Sequence, residues 1–291
     1  MGLNVYQLVT DRIIAELEKG HIPWRQPWGS VRSGAYNRIS KKSYSLLNQM
    51  LLKHKGEYAT FKQWQELGGH VKKGESAEIV VFWKLFQITE MNSSGNVTER
   101  KIPMLRYYSV FHISQVDGIE PLPQEYDLQP LDSINSAEEI FTEYINREGI
   151  RFVQELHIEA YYSPSRDMIH LPLREQFKDQ SKYYSTLFHE TIHSTGHPSR
   201  LSRLDPGLHT AHFGSENYSK EELVAELGAA NILNYLGMET EESFANSTAY
   251  IQNWLHVLRG DSRFIVSAAS KAENAVKYIL GGREASEHAY D

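Results

Sequence analysis

The residues best equipped for chemistry lie in "STLFHETIHSTGH", residues 185–197, where His189 and His193 stand four apart and Glu190 follows the first histidine directly. On a helix of about 3.6 residues per turn, positions i and i+4 share a face, so both imidazoles can reach one ion. Glu190 then projects beside that ion. Zinc lowers the pKa of a bound water to roughly 7, and an adjacent carboxylate can take the proton as attack on a carbonyl begins. The pattern points to metal-assisted hydrolysis with Glu190 as the catalytic base. Against this stands chance: in a chain with 13 histidines, random occurrence of the pattern is on the order of a few per cent.

A third ligand would separate the two readings. The chain has no cysteine, so any metal is held by histidine and carboxylate. In "YSKEELVAELG", Glu222 and Glu226 are again four apart on one helical face. Glu222 is assigned to the metal and Glu226 to the outer carboxylate that receives the N–H of a ligand histidine. Competing readings make Ser219 and Glu222 a capping box, and Glu221 either a ligand or a solvent-facing charge. His197, directly after Gly196, is expected to cap or orient the end of the helix. Zinc is the expected ion, although histidine and carboxylate also suit manganese and cobalt.

Such a site needs rigid elements around it. "SAEEIFTEYINREG" reads as a helix, "RFVQELHIE" as a strand, and "AYYSPSRDMIHLP" as a strand, turn and strand. The motif helix follows, then a polar loop from about 198 to 218. Three more helices are read in "SKEELVAELGAANILNYLG", "STAYIQNWLHVLRG" and "SRFIVSAASKAENAVKYILGG". Earlier in the chain, helices are expected in "VYQLVTDRIIAELEKG", "SYSLLNQMLLKHKG" and "TFKQWQELGG", the last capped by Thr60 and stopped by Gly68 and Gly69. "AEIVVFWKLFQI" and "MLRYYSVFHI" should pair as a hairpin across "NSSGN".

Charge divides the chain at the same place as pattern. Residues 1–120 hold 16 Lys and Arg against 11 Asp and Glu, and residues 121–291 hold 14 against 26, giving +5 and −12 and the net −7. Three prolines interrupt "VDGIEPLPQEYDLQPLDS" between the halves. The expected organisation is α+β: a small α+β domain over 1–120, a linker at 121–133 and a mostly helical domain over 134–291. The basic half should meet a polyanion, and a fragment ending near residue 120 should bind it alone. No apolar run approaches the roughly 20 residues of a membrane span, and the first residues lack a secretory signal, so a cytoplasmic protein is expected.

"HETIHSTGH" followed by "EELVAELGAA" resembles the metallopeptidase domain of the ArdC-type antirestriction proteins of plasmids and phages. "PWRQPW", "YNRISKKSYSLLN" and "TFKQWQELGGHVKKGE…VVFWK" resemble that family's N-terminal single-stranded-DNA-binding domain, so the resemblance spans nearly the whole chain. One departure is Lys41-Lys42, where the family more often shows Gly-Arg. The resemblance implies a zincin-like fold for the second half, with glutamate as third ligand in the gluzincin manner, and a role in protecting incoming DNA from restriction. It supplies no protein substrate. By analogy with zincin-like folds, the strand in "SRDMIHLP" should flank the substrate cleft as an edge strand.

Cations and aromatic residues interleave between Tyr36 and Lys73, as a strand of unpaired bases requires. Asn37, Arg38, Lys41, Lys42 and Tyr44, with Lys72 and Lys73 in "HVKKGE", are the expected DNA contacts. Phe61 and Trp64 read as core, and Trp24 and Trp28 as anchors pinning a proline-stiffened loop. No motif for base-specific reading is present, so binding should be largely independent of sequence. Three functional readings follow: a single-stranded-DNA-binding protein with a zinc peptidase; a DNA-binding module on a metal-stabilised, non-catalytic scaffold; and a protease recruited by DNA to DNA-bound proteins.

Overall fold

The computed structural model describes residues 4–25, 34–91, 97–122, 133–204, 216–238 and 248–281. Trp28, the "NSSGN" turn and most of the expected linker lie outside the described residues. The fold is mixed α+β, as expected from the pattern of the sequence.

Helix α1 (Val5–Glu18) begins where the Asn4 side chain accepts the Tyr6 and Gln7 amides, and it buries Val9, Ile13 and Leu17. A four-stranded sheet follows, in the order β1 (Ala35–Asn37), β2 (Gly56–Ala59), β5 (Val97–His112) and β4 (Glu78–Met91). The hairpin of β4 and β5 runs in register from Glu78 opposite Val110 to Met91 opposite Val97. Helix α2 (Leu46–Leu51) is shorter than the sequence suggests: Tyr44 pairs with Ala35 and the chain turns extended at Leu52. Helix α3 (Phe61–Glu66) is capped by Thr60, as expected, and Gln63 completes a capping box. It packs Trp64 fully inside and leaves Phe61 exposed, so only one of the two is core. Strands β3 (His70–Val71) and β6 (Val116–Asp117) form a small separate ribbon.

The second half opens with α4 (Ser133–Glu148) and a three-stranded sheet. Its order is β7 (Arg151–Glu155), β9 (Met168–Pro172), β8 (Tyr161–Ser163), with β9 parallel to β7 and antiparallel to β8. Helix α5 (Gln180–Thr195), capped by Asp179, carries the histidine motif and lies against β8, β9 and α6 (Glu216–Tyr235). Helices α7 (Thr248–Gly260) and α8 (Phe264–Leu280) complete the layer.

One apolar core runs through both halves. Val9, Ile13 and Leu17 of α1 and Leu47, Met50 and Leu51 of α2 join the cluster that holds Trp254, Leu258, Ala268 and Ala272. Trp24 is buried edge-on against Trp254 with ring centroids 5.3 Å apart, which is the anchoring role expected of it. Thr10 donates to the Ser262 carbonyl and Arg259 pairs with Glu18. The charge boundary in the sequence is therefore not a packing boundary, because α1 and α2 bury their apolar faces on the acidic half. Among the described residues, no helix is long and apolar enough to cross a membrane.

Candidate metal centre

Helix α5 is a buried helix: Leu187, Phe188 and Ile192 are fully inside, each worth about 1.5–3 kcal/mol on burial. His189 and Glu190 are buried with them. Two buried imidazoles and a buried carboxylate on one helix are costly without partners, and α6 supplies those partners.

His189 Nε2 and His193 Nε2 lie 3.1 Å apart. Glu222 places Oε2 3.3 Å from the first and Oε1 3.3 Å from the second. Three lone-pair-bearing groups thus converge on one point. Tetrahedral coordination with bonds of about 2.0–2.1 Å has edges of about 3.3 Å, close to the spacing between the two nitrogens and between each nitrogen and the carboxylate oxygen that faces it, so the group matches a zinc-sized coordination sphere. An octahedral ion with slightly longer bonds has similar edges, so the donor set also accepts manganese or cobalt. Among the described residues this is the only group of three or more His, Cys, Asp or Glu whose ligand atoms gather in this way.

The local charges favour a cation. Burial alone would lower both histidine pKa values, yet the carboxylates of Glu222 and Glu221 hold His193 well above the usual imidazole range, and Glu222 raises His189. Burial opposes ionisation of Glu222, but the two histidines outweigh it and hold the carboxyl far below its usual range. Burial pushes Glu190 above the ordinary glutamate value, against the pull of the histidines and of a hydrogen bond from the Tyr162 backbone.

Glu221 lies outside the converging group and is not a solvent-facing charge. Its Oε1 lies 3.5 Å from His193 Nδ1 and 2.8 Å from Arg203 Nη2, so it fixes the ring that presents Nε2 to the centre. Arg203 is itself pinned by donating to Thr195 Oγ1 and the Ile192 carbonyl. The chain can return this closely because residue 196 is glycine: a Cβ there would sit 2.8 Å from Leu204 Cγ and 3.1 Å from the His193 carbonyl oxygen. Glu226, expected to take the outer-carboxylate role, is buried one turn beyond Glu222, while the described partner of His193 Nδ1 is Glu221. Sequence reasoning missed Arg203; its only signal was a cation a few residues beyond the motif. Ser219 lies inside α6, where its hydroxyl accepts from Asn253, so it does not cap the helix over Glu222. His197 forms the turn after α5, accepting from the Ser199 amide, as expected of a helix-end residue.

The strand in "SRDMIHLP" is not an edge. Strand β9 has β7 on one side and β8 on the other, so its backbone is already paired. The outer strands are β7 and β8, and the Tyr162 backbone of β8 reaches Glu190. A short strand followed by a turn was a weaker sequence signal than the apolar run of β9.

The expected DNA contacts divide by environment. Tyr44 is buried against Tyr58, with ring centroids 6.4 Å apart, so its face is not available to a base. Arg38 is spent on the buried Glu57, and Asn37 Oδ1 accepts the Ile39 and Ser40 amides. Lys41, Lys42 and Lys73 are exposed. Lys72 donates to the Ser114 carbonyl and lies 3.7 Å from Asp117.

Residues 3–111 match the family model described as the N-terminal domain of anti-restriction factor ArdC, and residues 137–271 match that of a zincin-like metallopeptidase. An uncharacterized protein, y4eC of Sinorhizobium fredii, is 34% identical over 298 residues, covering 95% of this chain and 91% of that protein. A DNA primase TraC of Escherichia coli is 31% identical over 299 residues, but this chain spans only 27% of its length. Two crystal structures of the antirestriction ArdC protein from the R388 plasmid, metal-free and Mn(II)-bound, each align with a TM-score of 0.75. Identity is 33% and 32%, with 98% and 96% of this chain covered and 99% and 98% of the neighbour.

Proposed function

Starting from the fact that this chain belongs to the ArdC antirestriction family and carries a zincin-like second half, we propose that it is a single-stranded-DNA-binding metallopeptidase that protects incoming plasmid or phage DNA in the cytoplasm. The observation that carries this reading is Glu190. A structural metal site needs ligands but no base, and here a buried carboxylate follows the first ligand and lies against both histidines.

In this reading the Nε2 atoms of His189 and His193 and the carboxylate of Glu222 hold the ion, with zinc as the expected occupant. Glu221 and Arg203 keep the His193 ring turned toward it. When bound, the ion supplies Lewis acidity and makes an attacking water acidic enough to lose its proton near neutral pH. Glu190 receives that proton on its carboxylate and delivers it to the leaving amine, while the Tyr162 backbone holds the carboxylate in place. The edge of β8 opposite β9, which pairs with no strand among the described residues, offers a peptide backbone somewhere to pair. Glu226 is proposed as a further outer carboxylate.

For DNA, the basic half of the chain provides the surface. Lys41, Lys42 and Lys73 remain as phosphate contacts, with Lys72 beside them, whereas Asn37, Arg38 and Tyr44 shape the loop that presents the two lysines. A second reading keeps DNA binding as the sole activity and treats the ion as a structural staple; the Mn(II)-bound and metal-free forms of the R388 relative are compatible with either.

Glu190→Gln tests the choice, since it keeps size and hydrogen bonding but removes the base. The expected outcome is unchanged metal content and DNA binding with loss of protection in a restriction-challenge assay. Full protection by the variant would leave the non-catalytic reading.

A further inference from the structure

We propose that the outward face of the β4–β5 ribbon is a stacking platform for unpaired bases, the principal contact of this chain with single-stranded nucleic acid. It rests on the DNA-binding reading above and adds base stacking on the ribbon to the phosphate contacts of Lys41, Lys42 and Lys73.

Strand β5 pairs with β2 only at Phe111 and His112, so from Val110 outward the two strands form a ribbon that pairs with no third strand among the described residues. Such ribbons are marginal on their own, and exposed apolar rows on them call for a partner. Side chains alternate across a ribbon, so Phe82, Lys84 and Phe86 of β4 share one face with Met104, Arg106 and Tyr108 of β5. Phe82 is 46% exposed, Met104 46% and Tyr108 41%, and Lys84 and Arg106 are exposed as well. On the other face Val81 and Leu105 are buried and Trp83 meets Tyr6 of α1, while Leu85 and Tyr107 are exposed; that face carries no cation from Val81 to Leu85 or from Pro103 to Tyr107, so the aromatic and cationic groups are combined on the first.

The outward face has the composition that a single strand requires. The Phe82 and Tyr108 rings lie 6.0 Å apart edge to face, and Phe82 rests on the buried Tyr44 at 6.2 Å. Arg106 stands 4.8 Å and Lys84 5.7 Å from the centre of the Phe86 ring, so cations sit beside a π face. Among its residues from Val80 to Phe86 and from Ile102 to Tyr108 there is no acid. An apolar protein partner or a second copy of this chain would need no cations between the rings. A polyanion with exposed base faces uses both, and a duplex hides those faces in its own stack.

The test uses the full chain and a fluorescent oligothymidylate of about 16 nucleotides, the upper end of usual single-strand site sizes. Phe82→Leu with Tyr108→Leu keeps apolar bulk and strand propensity but removes the rings; it should weaken binding by about tenfold or more with the salt slope retained. Lys84→Gln with Arg106→Gln should instead flatten the log–log salt slope by about 1.4, from two fewer phosphate contacts. Circular dichroism identical to the parent verifies each fold. Leucine variants that bind as the parent does would overturn the platform while leaving the DNA-binding reading intact. A parent that fails to bind the oligonucleotide would overturn both. Dissociation of a parent dimer by the leucine pair, seen by sedimentation, would assign the face to a second copy and overturn the platform too.

Discussion

At the scale of single residues, the centre is an exchange between two helices. In the proposed centre, helix α5 contributes two nitrogens and a base, and α6 contributes Glu222 to the ion and Glu221 to the ring behind it. The meeting of His189 and His193 was legible in the sequence because i, i+4 spacing fixes a shared face whatever surrounds the helix. The role of Glu221 was not, since it depends on Arg203 arriving from a loop after α5, a tertiary event with no periodic signature. The two glutamates should separate in a titration with zinc. Glu222→Ala removes a donor and should cost far more affinity than Glu221→Ala, which frees the His193 ring and should cost about 10- to 100-fold. The reverse order would move the third ligand by one residue. Arg38 and Tyr44 teach the converse lesson: residue type suggested DNA contact, and burial against Glu57 and Tyr58 shows them holding the loop together.

At the scale of elements, the site depends on how closely α5 and α6 approach. Glycine inside a helix costs about 1 kcal/mol relative to alanine, so Gly228 in the middle of α6 needs a reason. A Cβ there would fall 2.5 Å from Ile192 Cδ1, in the same face of α5 that carries the histidines. Gly228→Ala should therefore push the helices apart, lowering stability by about 1–3 kcal/mol despite the better helix propensity, and weakening metal binding as Glu222 withdraws. Chemical denaturation together with zinc titration measures both; a variant more stable than the parent would mean the helices have slack. Element types were readable from periodicity, including the long hairpin and its strand composition. The ends of α2 and the order of the small sheet were not, because an isolated pairing of Tyr44 and the return of β9 between its neighbours are set by contacts distant in sequence.

At the scale of the molecule, charge divides the chain into two halves, while one apolar core runs through both. Helix α1 buries Val9, Ile13 and Leu17 against the second half, and Trp24 meets Trp254. A fragment ending near residue 120 loses that cover, so it should expose apolar surface, bind a hydrophobic dye and unfold with little cooperativity, contrary to the autonomy suggested by charge. A sharp thermal transition in that fragment would restore the two-domain picture. The shared core also means that loading the metal centre adds stability to the whole chain by mass action, DNA-binding half included.

The central claim is that His189, His193 and Glu222 hold one divalent ion while Glu190 stands beside it without holding it. Metal content of the purified chain, measured by plasma mass spectrometry after equilibration with zinc and removal of the excess, addresses it directly. The account predicts about one equivalent per chain in the parent and in Glu190→Gln, and little in His189→Ala. Equal metal in all three proteins, or loss in Glu190→Gln matching that in His189→Ala, would contradict it.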